Sequence, residues 1–219
     1  MENQLLLFSF DQDEKKVKPA DHQVSHQIEC DSKSLTQKNE EYDAGACAAS
    51  RQTANKAMQA WSIFVDGAAR GNPGPAGAGI YILNSEQKIQ EAYFLGEKTN
   101  NQAEYLALVL ALFLLKQKID DANLKNIFLT VHSDSELLVR QLCGFYKIKN
   151  PVLIKLHGLI KQLLHGVNHK FTHVVREKNK IADKLANEGI DKKKKIPTKF
   201  LNFLANLDDG NNIIEMLKK

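Results

Sequence analysis

Four carboxylates, Asp66, Glu104, Asp134 and Asp183, fall at the ends or opening turns of structural elements rather than on solvated faces. Asp66 follows the apolar run Ile63-Phe64-Val65, and Glu104 lies near the start of an apolar helix. Asp134 closes the run Ile127–Ser133, and Asp183 sits within "NKIADKLANEG". Singly, each has an ordinary use: a turn residue, a complement to a helix dipole, an N-cap, an exposed helix carboxylate. Together they point to chemistry. Clustered carboxylates repel unless cations neutralise them, and hard oxygen donors with open positions suit Mg²⁺ or Mn²⁺.

The elements that must position them follow from periodicity and punctuation. Residues 62–65, 78–83 and 88–95 read as a three-strand antiparallel meander with a turn at Asn84-Ser85-Glu86. Thr99-Asn100-Asn101-Gln102 has the form of a capping box and opens a helix reaching about Gln117, apolar nearly all the way round, as a helix buried against a sheet should be. Residues 127–133 read as a strand buried on both faces, 135–142 and 152–164 as helices, 170–175 as a strand and 180–189 as a helix. The order implies an α/β fold: a mixed five-stranded sheet, three antiparallel strands followed by parallel ones, with helices on both faces. If the first and fourth strands are neighbours, Asp66 and Asp134 lie side by side at strand ends, where open α/β sheets bind ligands.

Charge divides the chain. Residues 1–60 carry a net −3, residues 61–191 a net +3 and residues 192–219 a net +4. The first segment is polar, with Tyr42 its only aromatic beyond Phe10, and reads as a disordered arm. Residues 61–191 read as the domain, and 192–219 as a basic linker followed by a short amphipathic helical hairpin. Cys30, Cys47 and Cys143 are odd in number and lack CxxC spacing, so neither a disulfide framework nor a zinc site is expected, and a cytoplasmic setting fits. The opening "MENQLLLFSF" lacks a basic n-region, which argues against a signal peptide. The longest apolar run, Tyr105 to Leu115, is eleven residues, too short for a membrane span of about 20.

"VDGAARGNPGPAGAG", "TNNQAEYLAL", "HSDSELLVRQL" and "REKNKIADKLANEG" together resemble the type 1 ribonuclease H (RNase HI) family, in order and spacing, over roughly residues 61–191. The resemblance implies the RNase H fold, hydrolysis of the RNA strand of RNA–DNA hybrids, and 5′-phosphate and 3′-hydroxyl products. It also implies two divalent ions, Mg²⁺ with Mn²⁺ as a possible substitute, held by Asp66, Glu104, Asp134 and Asp183 as the catalytic carboxylates. Two such ions can activate a water on one side of a phosphodiester and stabilise the leaving oxygen on the other, so no nucleophilic side chain is required. By the same resemblance the loop with Gly71, Asn72 and Gly74 lies along the minor groove of the hybrid, where RNA 2′-hydroxyls are read. Thr99 contributes to a DNA-phosphate pocket, and Asn100 and Asn101 contact the minor groove.

The pattern departs from the family in places. Many members carry a histidine in the loop before the last carboxylate. Here "HVVREKNKIAD" has none between His173 and Asp183, resembling a subgroup in which arginine, Arg176, takes that place. Arginine cannot serve as a base near neutral pH, so Arg176 is expected to contact phosphate or stabilise the leaving group. His173 reads as a packed strand residue. No long basic insertion separates Asp134 from Asp183, so a substrate-gripping protrusion is not expected, and Lys147 and Lys149 are left to touch phosphates. This leaves two alternatives: action on double-stranded RNA, or a binding module that has lost catalysis. A monomer is expected. Finally, Gln4, Leu5, Leu7 and Phe8 of "QLLLF" resemble the peptide by which bacterial replication and repair proteins dock on the sliding clamp.

Overall fold

The computed structural model describes residues 28–31, 58–119, 123, 126–207 and 210–218. Their elements in chain order are β1 (Glu29–Asp31), β2 (Gln59–Ala69), β3 (Gly74–Leu83), β4 (Lys88–Lys98), α1 (Asn100–Lys118) and β5 (Ile127–Ser133). Then come α2 (Glu136–Leu142), α3 (Pro151–Leu163), β6 (Asn168–His173), a 3₁₀ turn (Arg176–Lys178), α4 (Lys180–Lys192), α5 (Thr198–Ala205) and α6 (Gly210–Lys218).

The sheet order is β1-β6-β5-β2-β3-β4. Strands β2, β3 and β4 form the expected antiparallel meander, and β5 and β6 add in parallel. The sheet has six strands rather than five, because β1 pairs antiparallel with the β6 edge through Glu29–Thr172, Cys30–Phe171 and Asp31–Lys170. This corrects the reading of residues 1–60 as wholly disordered. Three residues in a polar segment carry no periodicity, and their partners lie some 140 positions away. Clamp-peptide residues Gln4, Leu5, Leu7 and Phe8 lie outside the described residues.

A second correction follows from that strand. Cys30 and Cys143 form a disulfide, with Cα atoms 5.8 Å apart. Spacing alone did not reveal the pair: Cys143 caps α2, and only the pairing of β1 with β6 sets Cys30 against it.

Alternation decides what each face of β2 sees. Trp61, Ile63 and Val65 are buried under α1, whereas Phe64 and Asp66 point to the opposite face, where α4 lies. Helix α1 is enclosed along its length, with Leu106, Leu108 and Leu110 fully buried, each contributing roughly 1.5–3 kcal/mol. The C-terminal hairpin packs on its far end. Phe113 meets Phe200 edge-on at 5.2 Å and Phe203 at 5.3 Å. At the other sheet edge, the Phe94 N–H donates to the Lys194 carbonyl at 2.8 Å, so the segment after α4 lies along β4. Among the described residues no helix is long and apolar enough to cross a membrane.

Candidate active site

Strand β2 does not stop at Asp66. It runs on to Ala69, and β3 resumes at Gly74, so the small residues after Asp66 are mostly strand rather than loop. Their smallness has a packing cause. A Cβ on Gly67 would lie 2.1 Å from the Glu104 backbone nitrogen, and one on Gly79 would lie 2.0 Å from the Ala182 carbonyl oxygen. Gly67 adjoins Asp66 in sequence and Gly79 is its cross-strand partner. Bare backbone on both sides of Asp66 thus lets α1 and α4 close on it from opposite faces.

The other two carboxylates arrive by register. β2 and β5 run parallel with Phe64 opposite His132, so Asp66 and Asp134 stand together two residues further on. Asp183 lies in the first turn of α4, one residue from the Ala182 that touches Gly79. Asp66 and Glu104 are both pushed up to about 7, first by burial. For Asp66, Asp134 and Asp183 add repulsion; for Glu104, Asp66 and Asp134 add it and a Ser135 hydroxyl opposes it. Asp66 thus feels both Asp134 and Asp183, and Glu104 feels Asp66 and Asp134.

Each of three also has a protein partner. The Ser135 hydroxyl donates to Glu104 Oε2 at 2.5 Å, and Asn100 Nδ2 donates to Oε1 at 3.1 Å. Asn179 Nδ2 donates to Asp134 Oδ1 at 2.7 Å and to the Val65 carbonyl at 3.0 Å. Arg176 reaches Asp183 Oδ1 at 2.6 Å, and Asp134 and Asp66 also add to its pull on the proton. Among the described residues, no three His, Cys, Asp or Glu side chains form a ready ion shell. The donor chemistry still suits a hard divalent cation, since buried carboxyl oxygens held near neutral pKa gain most from one.

Sequence reasoning left Ser135 and Asn179 unassigned. Asn179 opens α4 yet makes no capping bond with its side chain, spending it on Asp134 and β2 instead. A small amide between Arg176 and Asp183 was the available signal. His173 ends β6, half-buried, with Nε2 3.2 Å from the Asp134 carbonyl oxygen, in keeping with a packed strand residue.

The expected nucleic-acid contacts divide into two places. Asn72 Oδ1 accepts from the Asn100 N–H at 3.1 Å, which ties the Gly71–Gly74 turn to the start of α1. Thr99 and Gln102 form the complete capping box, and Asn101 is exposed beside it. Gly71 has φ +113°, which only glycine adopts freely. Lys147 and Lys149 lie apart from these, exposed between α2 and α3.

The reverse transcriptase-like family model matches residues 64–189, the span that holds all four carboxylates. Ribonuclease H1 LC11, solved in complex with an RNA/DNA hybrid, superposes with a TM-score of 0.56 and 42% identity over 60% of this chain and 97% of its own. The chain belongs to the type 1 ribonuclease H family. It is 38% identical over 132 residues to ribonuclease HI of Halobacterium salinarum, spanning 58% of this chain and 63% of that protein. It is 30% identical to ribonuclease H of Pseudomonas putida, of which it spans 92%. The family match over residues 64–189 leaves the segments on either side of it, which contain β1, α5 and α6, outside.

Two results are expected of the site. Folding raises the pKa of Asp66 and Glu104, so the folded state binds more protons than the unfolded one between about pH 4 and pH 7. The stability contribution of this pair therefore falls as pH rises through that window and is lowest above it. For Asp66 the raise is worth on the order of 4 kcal/mol between protonation states. Urea midpoints in chelator should show the wild type losing stability relative to Asp66→Asn from pH 5 to pH 8, with added Mg²⁺ reversing the loss. Parallel pH profiles for the two would contradict it. Arg176→Ala should slow turnover about tenfold or more with little change in melting temperature. His173→Ala should act mainly through stability. The opposite ranking in steady-state kinetics would move the auxiliary role to His173.

Proposed function

We propose that the chain is an endoribonuclease that hydrolyses the RNA strand of RNA–DNA hybrids, leaving 5′-phosphate and 3′-hydroxyl ends. The observation that carries this reading is the meeting of Asp66, Glu104, Asp134 and Asp183 at one end of the sheet, in a chain 42% identical to a ribonuclease H1 solved with such a hybrid. Hydrolysis between two metal ions needs no nucleophilic side chain, so water is the attacking group. The four carboxylates would hold two divalent ions, Mg²⁺ or Mn²⁺, which when bound supply an activated water and charge for the leaving 3′ oxygen. Ser135 and Asn179 orient Glu104 and Asp134. Arg176 releases Asp183 and turns to the phosphate.

Gly71, Asn72 and Gly74 with Asn100 and Asn101 line the minor groove, Thr99 meets DNA phosphate, and Lys147 and Lys149 meet phosphates further out. Such contacts read sugar and backbone rather than sequence. Hybrid affinity should fall steeply with salt, and Lys147→Ala and Lys149→Ala should each lower the slope of log affinity against log salt by about 1. An unchanged slope in both variants would remove them from the interface.

Residues 61–191 act as the catalytic domain and 192–219 as a packed extension. The "QLLLF" peptide, Gln4 to Phe8, serves as a tethered dock for the bacterial sliding clamp, raising enzyme concentration along replicated DNA. The chain works as a monomer on primers and R-loops. The decisive experiment offers labelled RNA–DNA, RNA–RNA and DNA–DNA duplexes to the purified chain with Mg²⁺, Mn²⁺ or chelator. Cleavage confined to the RNA of hybrids, and only with metal, is expected. Cleavage of RNA–RNA at equal rate, or of nothing, would replace the reading with a double-stranded RNA nuclease or a binding module. Calorimetric titration of the clamp with wild type and a Leu7→Ala/Phe8→Ala variant tests the peptide; equal binding or none by wild type discards it.

A further inference from the structure

The chain leaves α4 on a run of four exposed lysines, Lys192 to Lys195. Lys193 caps the helix in the left-handed conformation, φ 50°, and the next carbonyl, that of Lys194, accepts from the Phe94 N–H on the edge of β4. Lys195, Ile196 and Thr198 then line a cleft with Phe94, Leu95 and Gly96, so the segment keeps to that edge as far as α5. Ion pairs fix this strap in place. Lys194 joins Glu91 and stands 5.0 Å over the Tyr93 ring, and Lys192 joins Glu188. Asp191 holds Arg70 at 2.7 Å, one residue before the Gly71–Gly74 turn.

Lys193, Lys195 and Lys199 are exposed and have no ion-pair partner among the described residues. Of the two carboxylates on β4, Glu91 is taken by Lys194 and Glu97 adjoins Lys98. Glu188 is held below the usual carboxylate range by its hydrogen bond to Lys192 and by the charges of Lys184 and Lys194, the mark of a positive field. Like charges pinned to a fixed backbone gather counterions, and a polyanion that takes their place gains from releasing its own. The strap lies beside the carboxylate end of the sheet. Phe94 pairs with Gly77, and Gly77 with Ala68, two residues beyond Asp66. Three strand spacings separate the strap from β2, roughly 14 Å at about 4.8 Å each. At about 3.4 Å of duplex axis per nucleotide, that is about four base pairs.

We propose that Lys193, Lys195 and Lys199 form an accessory phosphate-binding edge that grips a nucleic-acid duplex about four base pairs from the active site. The Gly71–Gly74 turn, tied to the strap through Arg70 and Asp191, lies between the two. All three lysines fall outside the span matched by the family, so the edge is an addition to the nuclease domain. Its contacts are to phosphate and carry no sequence preference. The inference rests on the nuclease reading only in laying a duplex across the carboxylate end of the sheet.

The test is fluorescence anisotropy over a salt series with the full chain carrying Asp66→Asn, on RNA–DNA, RNA–RNA and DNA–DNA duplexes that overrun the carboxylates by more than four base pairs. Adding Lys193→Gln/Lys195→Gln/Lys199→Gln should lower the slope of log affinity against log salt by about 2 to 3, and affinity at about 0.1 M salt roughly tenfold. Lys116→Gln/Lys118→Gln/Lys161→Gln removes the same charge from the last turns of α1 and α3 and should leave the slope as it was. An unchanged slope in the first triple variant overturns the edge. An equal fall in both assigns the effect to net charge and overturns it too, as does a chain that binds none of the duplexes. Phosphatidylserine vesicles, bound by the wild type and not by the first triple variant while duplex slopes stay equal, would give the strap to a membrane surface instead. Cleavage by the wild-type chain reads the nuclease assignment separately: a chain that cuts no hybrid but loses slope in the first triple variant keeps the edge and drops the nuclease.

Discussion

Asp66→Asn should abolish hybrid cleavage and leave the fold intact. The amide keeps the volume and loses the charge that two ions would share. At 1.36 kcal/mol per tenfold, the several kilocalories of transition-state stabilisation such charges supply correspond to a loss of about 1,000-fold or more. The variant should also be at least as stable as the wild type at pH 8 in chelator, since it removes a carboxyl held near 7 by burial and by Asp134 and Asp183. Asp134→Asn should likewise be inactive. Single-turnover assays with Mg²⁺ and Mn²⁺, read beside urea melts, check both halves. Wild-type turnover in both variants would remove the carboxylates from the chemistry.

The second large effect comes from a residue with no functional group. Gly79→Ala places a methyl 2.0 Å from the Ala182 carbonyl oxygen and 2.4 Å from the Ala186 nitrogen, both backbone atoms of α4. The helix must move away, because backbone cannot rotate aside as a side chain can. A loss of about 3 kcal/mol is expected, at the upper end for overpacking. Activity should fall further than stability explains, since α4 carries Asp183 and begins beside Asn179. Gly67→Ala should do the same to α1 and Glu104, where the contact is 2.1 Å. Denaturant midpoints together with cleavage rates at a temperature where each variant is folded measure the two parts. A Gly79→Ala protein as stable and active as wild type would mean that the approach of α4 does not set the site.

The carboxylate set was legible because each member sits in a motif whose local pattern also defines its element: a capping box before Glu104, apolar runs ending at Asp66 and Asp134. The meander was legible for the same reason, being built from neighbours in sequence. What escaped was non-local. Nothing near Glu29-Cys30-Asp31 announces a strand, because its partner β6 supplies the pairing. The Cys30–Cys143 bond depends on that pairing, and Asn179 shows its role only once α4 lies beside β2 and β5. The need for glycine at 67 and 79 is equally non-local, since each meets the backbone of a helix of the chain itself.

The two sheet edges are closed by residues outside the span that matches the family. Asp31 to Glu29 lie along β6, and the Lys194 carbonyl holds the Phe94 N–H on β4. An uncovered strand edge is a template for another chain's backbone. A fragment trimmed to 61–191 would keep the four motif carboxylates and yet lose both of these edge contacts, so its colloidal behaviour, not its chemistry, would change first: edge-to-edge association growing with concentration.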